Sequence, residues 1–314
     1  MTLLVADIGG TGARLAVMRG WQAVETREYA NAHFENFDEI LRDFLSHCSE
    51  RPEHLAISAA GPVVDGKVDL TNLGWDLSSA NIAHTFDFER VEIINDFAAL
   101  AWATEHLQPT DLYQVGGGVV RANSTRVIVG PGTGLGVSAL VTDGSGWIAV
   151  AGEGGHVSMA ATNQRETELI DSVRAEFGHC SAERLISGPG LARMYQHISG
   201  HSCQPEEISA RAFSGDKQAD EAVEIFCCLL GTIASNLAVT FGAFGGVYLG
   251  GGILPTMLNR FKASGFRQRF EAKARYGNYL AAIPSWVITA KNPSFLGLYE
   301  FVRRNTDIDK DAGT

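Results

Sequence analysis

Short apolar runs closed by glycine alternate along the chain with longer stretches of helical periodicity. Residues 3–6 are apolar and end in Asp7-Ile-Gly-Gly-Thr-Gly, and a second apolar run over 15–18 follows at once. That spacing predicts an antiparallel hairpin with a glycine-rich turn. The pattern returns where Arg126-Val-Ile-Val runs into Gly130-Pro-Gly-Thr-Gly-Leu-Gly and then an apolar run over 137–141, so that Gly132-Thr133-Gly134 falls in the place of Gly10-Thr11-Gly12. Two such hairpins imply two related halves. Strands are expected over 55–59 and 91–94, the latter leading into Asn95-Asp96 and a helix over 97–106. Helices are expected over 166–177 and 219–241, with Gly178, Gly188-Pro189-Gly190 and Gly200 as breaks. A polar helix over 267–276, a strand over 286–289 and a last helix over 294–303, capped by Ser294, complete the reading. Strands and helices intermingle, which is the α/β class.

The uncharged stretch 225–259 is long enough to be mistaken for a membrane span. Its glycines and Pro255 divide it instead into a buried helix ending near Phe241, a short strand over 247–249, a turn and a new helix.

Composition narrows the class. The chain has 314 residues, 25 Lys and Arg against 36 Asp and Glu, and a net charge of −11. Its length and apolar content fit one large or two moderate globular domains. The acidic balance argues against nucleic acid and anionic membranes as partners, because phosphate backbones are held by clustered cations. Five cysteines with no C-x-x-C spacing fit a reducing compartment. The N-terminus offers neither a basic region nor an apolar core of signal-peptide length, so a cytoplasmic location is expected. Residues 305–314 form a polar tail expected to fray. Glycine is in excess, at 35 residues, and the excess gathers in the two hairpins and in Gly242 to Gly252.

Glycine turns let backbone amides converge on a phosphate, since no side chain blocks close approach. The loops fit neither a P-loop, whose Gly-Lys-Ser/Thr is absent, nor a dinucleotide fingerprint, which needs a helix where 137–141 reads as a strand. A single such turn is an ordinary hairpin. Two matched turns, each with a threonine, point to phosphate. Among side chains, Asn95 or Asp96 can cap the following helix, and Asp96 can equally serve as a base at a strand end. Glu153 and His156 flank Gly154-Gly155, a spacing that directs a carboxylate and an imidazole at one ligand, either a sugar or a metal. The absence of cysteine over 157–177 argues against a structural zinc. Glu183, after Ser181, reads as a first-turn glutamate favoured by a helix dipole.

With these motifs in order, the sequence resembles the bacterial glucokinases of the hexokinase/actin/Hsp70 ATPase superfamily. The residues that carry it are Asp7-Ile-Gly-Gly-Thr-Gly-Ala-Arg-Leu, Ile94-Asn-Asp-Phe, Gly130-Pro-Gly-Thr-Gly-Leu-Gly-Val, Gly152-Glu-Gly-Gly-His, Ser181-Ala-Glu-Arg with Ser187-Gly-Pro-Gly, and Tyr248-Leu-Gly-Gly-Gly-Ile. The missing cysteine cluster sets the chain apart from the related ROK sugar kinases. The resemblance implies a two-lobed actin-like ATPase fold, ribonuclease H-like in each half, with a ligand cleft between a small domain (1–107 plus 291–314) and a large one (108–290). It implies ATP-dependent phosphorylation of D-glucose at the 6-hydroxyl, feeding glycolysis, with Asp96 as general base. Asn95, Glu153, His156, Glu183 and Asn72 become sugar ligands. Nucleotide contacts fall to Ala6, Asp7, Ile8, Gly9, Gly10 and Thr11, to Gly132, Thr133 and Gly134, and to Gly250, Gly251 and Gly252 near the adenosine. Asp7 would orient Mg²⁺ through water, and the assembly would be a homodimer.

Overall fold

The computed structural model describes residues 2–305, so the polar tail beyond 305 lies outside the described residues. The chain divides into two compact units, Met1–Gln108 with Ala290–Thr314, and Pro109–Thr289.

The first unit holds strands β1 (Thr2–Ile8), β2 (Gly12–Arg19), β3 (Gln22–Ala30), β4 (His54–Ala59), β5 (Lys67–Leu70), β6 (Trp75–Ser78) and β7 (Arg90–Asn95). Its helices are α1 (Phe37–Ser46), α2 (Ser79–Phe86), α3 (Asp96–Ala103) and, from the far end of the chain, α12 (Pro293–Asn305). Five strands form a sheet in the order β3-β2-β1-β4-β7, while β5 and β6 make a separate hairpin. Because side chains alternate across a strand, β1 feeds two cores. Leu4, Ala6 and Ile8 pack with Phe37, Ile40 and Phe44 of α1, whereas Leu3 and Val5 pack with Ala99 of α3 and Phe295, Leu298 and Val302 of α12. Helices α3 and α12 meet at Gly297, where a Cβ would overlap the backbone of Ala99.

The second unit contains β8 (Leu112–Gly116), β9 (Arg126–Pro131), β10 (Leu135–Thr142), β11 (Trp147–Gly152), β12 (Gly246–Leu249) and β13 (Ser285–Ile288), in the order β11-β10-β9-β12-β13-β8. Its helices are α4 (Gln164–Phe177), α5 (Gly188–Ser199), α6 (Pro205–Phe213), α7 (Lys217–Phe241), α8 (Ile253–Thr256), α9 (Leu258–Lys262), α10 (Phe266–Glu271) and α11 (Gly277–Ala281). The apolar helix α7 is a core element, buried along most of its length from Ala219 to Ala238. Phe226, Leu230 and Ile233 lie in one core with Val127, Val129 and Val247 of the sheet.

The repeat read from the hairpins is real. In each unit an antiparallel meander, β1-β2-β3 or β9-β10-β11, leads to two parallel strands, β4 and β7 or β12 and β13. Each unit also buries one glutamate. Glu300, 0% exposed, accepts from Arg303 at 2.8 Å and from Arg304, with His106 Nε2 at 3.2 Å. Glu166, 1% exposed, accepts from Arg269 at 2.8 Å and from the Thr162 amide and hydroxyl. Burial acts to raise both carboxyls, and these partners outweigh it, so both sit below the usual carboxylate range.

Four expectations need correction. Gly188-Pro189-Gly190 is no break but the first turn of α5, capped by the Ser187 hydroxyl; proline suits that position because its missing amide would be unpaired there anyway. The helix expected over 267–276 stops at Glu271 and a 3-10 turn follows. Arg267 turns inward there to donate to the carbonyls of Ile283 and Ala281 and to Ser285. The helix after Asp96 ends at Ala103, not 106. Ser294 lies inside α12 rather than capping it.

Candidate active site

In the first unit, β1, β4 and β7 run parallel and end in step: Asp7 pairs with Ser58, Ser58 with Ile94, and Ala59 with Asn95. Ligands of open α/β sheets bind beyond such carboxyl ends. Ser58 Oγ donates to Asp7 Oδ1 at 2.5 Å, and Arg14 Nη1 lies 3.6 Å from Oδ2. Burial pushes the Asp7 carboxyl above its ordinary value, while Ser58, Arg14 and the Ser294 hydroxyl pull it down. Ala6 and Ile8 are buried strand residues held between β2 and β4, so their side chains belong to the core. Gly9, Gly10 and Thr11 form an exposed turn. The turn is braced from beneath by Asn31, whose side-chain amide donates to Gly9 O at 2.9 Å and whose backbone amide donates to Thr11 O at 3.1 Å.

The capping question after β7 is settled in favour of Asn95. Its Oδ1 accepts from the amides of Phe97 and Ala98 at 3.0 and 3.1 Å, and its Nδ2 donates to Gly61 O and to Asp96 Oδ1 at 3.2 and 3.1 Å. All four hydrogen-bonding positions of the amide are thereby engaged. Asp96 is the first helical residue, and its Oδ1 also accepts from the Phe97 amide at 2.9 Å. Asn72 stands exposed in the turn joining β5 to β6, and Trp75 beside it is buried core.

In the second unit the turn Gly132-Thr133-Gly134 carries Thr133 exposed at its tip, and its base is bordered by the Gly250–Gly251 stretch, by Glu183 and by the first turn of α5. A Cβ on Gly130 would overlap the backbone of Gly250, and one on Gly251, whose φ is +81°, would overlap Pro131 O. The Gly188 amide, at the N-terminus of α5, donates to Gly132 O at 2.9 Å. Glu183 corrects the reading of a helical first turn: residues 182–187 form turns and bends, and its Oε2 accepts the Leu135 amide at 2.9 Å. The Glu183 amide in turn donates to Gly155 O at 2.9 Å. Gly155 tolerates no side chain, because a Cβ would overlap Leu135 O. Glu153 and His156 are brought together at the two ends of that segment, with Oε2 and Nε2 3.8 Å apart and both side chains more than half exposed.

The sequence motifs thus mark most of the candidate positions. Asn31, Ser58 and Ser294 escape them, because each reaches its partner only through strand register or from the other end of the chain.

Two units, each a meander followed by parallel strands and each offering a glycine turn beside a carboxylate at its strand ends, define an enzyme of the actin-like ATPase fold. Comparison with known proteins narrows the class. A family model described as Glucokinase matches residues 4–305, and the chain belongs to that family. It is 44% identical to the glucokinase of Paramagnetospirillum magneticum over 94% of this chain and 96% of that one. Among solved structures it is similar to a glucokinase from an Antarctic psychrotroph, with a TM-score of 0.87, 33% identity, and coverage of 97% and 99% of the two chains. The fold alone is shared with the glucokinase from Balamuthia mandrillaris solved with glucose, at a TM-score of 0.80 and 21% identity over 97% and 94% of the chains.

Proposed function

We propose that this enzyme transfers the γ-phosphoryl group of ATP to the 6-hydroxyl of D-glucose, supplying glucose 6-phosphate to glycolysis. The observation that carries the reading is the family match across residues 4–305. A bond forms between the sugar oxygen and phosphorus, the bond to the β-phosphate oxygen breaks, and the hydroxyl proton passes to Asp96. Support for Asp96 comes from its seat, since Asn95 and the Phe97 amide fix its carboxylate at the head of α3. Asn95 meets a sugar hydroxyl by exchanging its 3.2 Å bond to Gly61, the longest of its four. Glu153, His156 and Glu183 accept or donate to further hydroxyls, and Asn72 approaches from the β5–β6 turn. The amides of Gly9 to Thr11 and of Gly132 to Gly134 hold phosphates, with Gly250 to Gly252 beside the adenosine.

A Mg²⁺ ion bound with the nucleotide offsets charge on the phosphates. The chemistry of the Asp7 site fits a hydrated ion rather than a bare one, because Ser58 occupies one oxygen and Arg14 faces the other.

The test is Asp96→Asn assayed with glucose and MgATP. We expect kcat to fall by about 10²–10⁴-fold, the usual share of a general base, with the melting temperature unchanged. A folded variant with near wild-type kcat overturns the assignment. A panel of hexoses that finds another sugar strongly preferred displaces glucose while leaving the chemistry.

A further inference from the structure

Glu183 touches more of the second unit's site than a simple sugar ligand needs to. Its Oε2 accepts the Leu135 amide at 2.9 Å, immediately after the turn Gly132-Thr133-Gly134, and a Cβ on Gly134 would overlap that same oxygen. Its backbone is fixed on both sides: the amide donates to Gly155 O at 2.9 Å, and the carbonyl accepts from Ser187 Oγ at 2.8 Å. Ser187 caps α5, whose first amide, that of Gly188, donates to Gly132 O. Glu183 therefore joins the Glu153–His156 segment to one end of the glycine turn directly and to the other through Ser187 and Gly188.

We propose that Glu183 is a positioning residue for the phosphate turn, one carboxylate oxygen bracing Leu135 while the other meets the sugar, so that a filled sugar site and a formed turn favour each other. This rests on the phosphoryl-transfer reading above. A carboxylate that only ligates sugar has no bearing on nucleotide affinity when sugar is absent. A strut does.

The experiment measures Kd for the non-hydrolysable analogue MgAMPPNP without sugar, together with amide exchange at Leu135, in the wild type, Glu183→Ala and Glu183→Gln. Glutamine keeps an oxygen for the Leu135 amide but exchanges a carboxylate acceptor for a donor. We expect Glu183→Ala to weaken the nucleotide about tenfold and to speed exchange at Leu135, the effect of losing one hydrogen bond to a charged group. Glu183→Gln should restore nucleotide affinity to within about twofold, yet still raise KM for glucose about tenfold, through the altered sugar contact. Gly134→Ala attacks the same contact from the other side with Glu183 intact, and it carries the test if the alanine variant fails to fold. Unchanged nucleotide affinity and Leu135 exchange in Glu183→Ala, or in Gly134→Ala should that variant stand in for it, overturn the strut. A wild type that binds no MgAMPPNP, or binds it without protecting residues 132–134, overturns the phosphoryl-transfer reading instead.

Discussion

Gly9, Gly10 and Thr11 stand exposed, with the flanking strands pairing again at Ile8 and Ala13, whereas Gly132, Thr133 and Gly134 join strands that pair again at Pro131 and Leu135, one residue closer. The first turn is braced from below by one side chain, Asn31. The second keeps Thr133 exposed, but its base is crowded: Gly250 and Gly251 lie against Gly130 and Pro131, Glu183 against Gly134, and the first turn of α5 against Gly132 O. Both hairpins descend from one plan, and their residues are nearly the same. The glycines nevertheless answer different needs. In the first turn they keep the outside clear for a ligand, while around the second they let one stretch of backbone lie against another.

Substitutions at the two turns and at the buried glutamates test that contrast. The largest effect lies away from the turns, at the buried glutamate of each unit. Glu300→Gln should cost about 2–3 kcal/mol at neutral pH, since the charge-assisted bonds from Arg303 and Arg304 are lost, although both arginines reach water and Arg304 keeps its pair with Glu105. Glu166→Gln should cost less, because Thr162 can still donate to the remaining oxygen. Both carboxyls lie below the ordinary 4.5 when folded, so the unfolded chain binds protons first on acidification. Their contribution is complete above that value and fades as pH falls below it. Urea melts at neutral and acid pH should therefore show each variant approaching the wild type in acid; a gap independent of pH refutes the ion-pair account.

Gly130→Ala comes next, because its Cβ meets the backbone of Gly250, which has no flexible end to move. We expect a loss of about 1–3 kcal/mol or more from overpacking, read as a lower melting temperature. Gly12→Ala should be milder, as the nearest obstacle is Tyr29 O at 3.0 Å. Gly9→Ala should be smallest in stability, within about 0.5 kcal/mol, since its Cβ meets only Gly12 O at 3.5 Å. If that turn holds phosphate, the same variant raises KM for MgATP while the melting temperature stays put. Equal destabilisation by Gly9→Ala and Gly130→Ala would erase the distinction between the two turns.

The hairpins, β4, β7, α4 and α7 were legible because each is an apolar run or an amphipathic stretch ended by glycine or a cap. Strand β3 is not, since eight of its nine residues are polar, small or exposed at the sheet edge and show no clean alternation. Helix α1 carries a fair signal, Phe37, Ile40, Leu41 and Phe44 behind the Asn36 cap, but no chemistry draws the eye to it. The candidate site divides in the same way. Asp7, Asn95, Asp96, Glu153 and His156 stand in local motifs. The bonds from Ser58 to Asp7 and from Leu135 to Glu183 join residues 51 and 48 positions apart, and only the folded register brings them together.

Helix α12 also sets an order in time. It comes from the last described stretch of the chain, yet it covers Leu3, Val5 and Ala99, and it leans on α3 through Gly297. A ribosome releases the whole of the second unit before it releases α12. The second unit can therefore fold while the first is still waiting, and the helix that starts at Asp96 is buttressed only once the stretch beyond residue 290 has emerged. Translation order thus leaves β1, made before the second unit, to be finished after it.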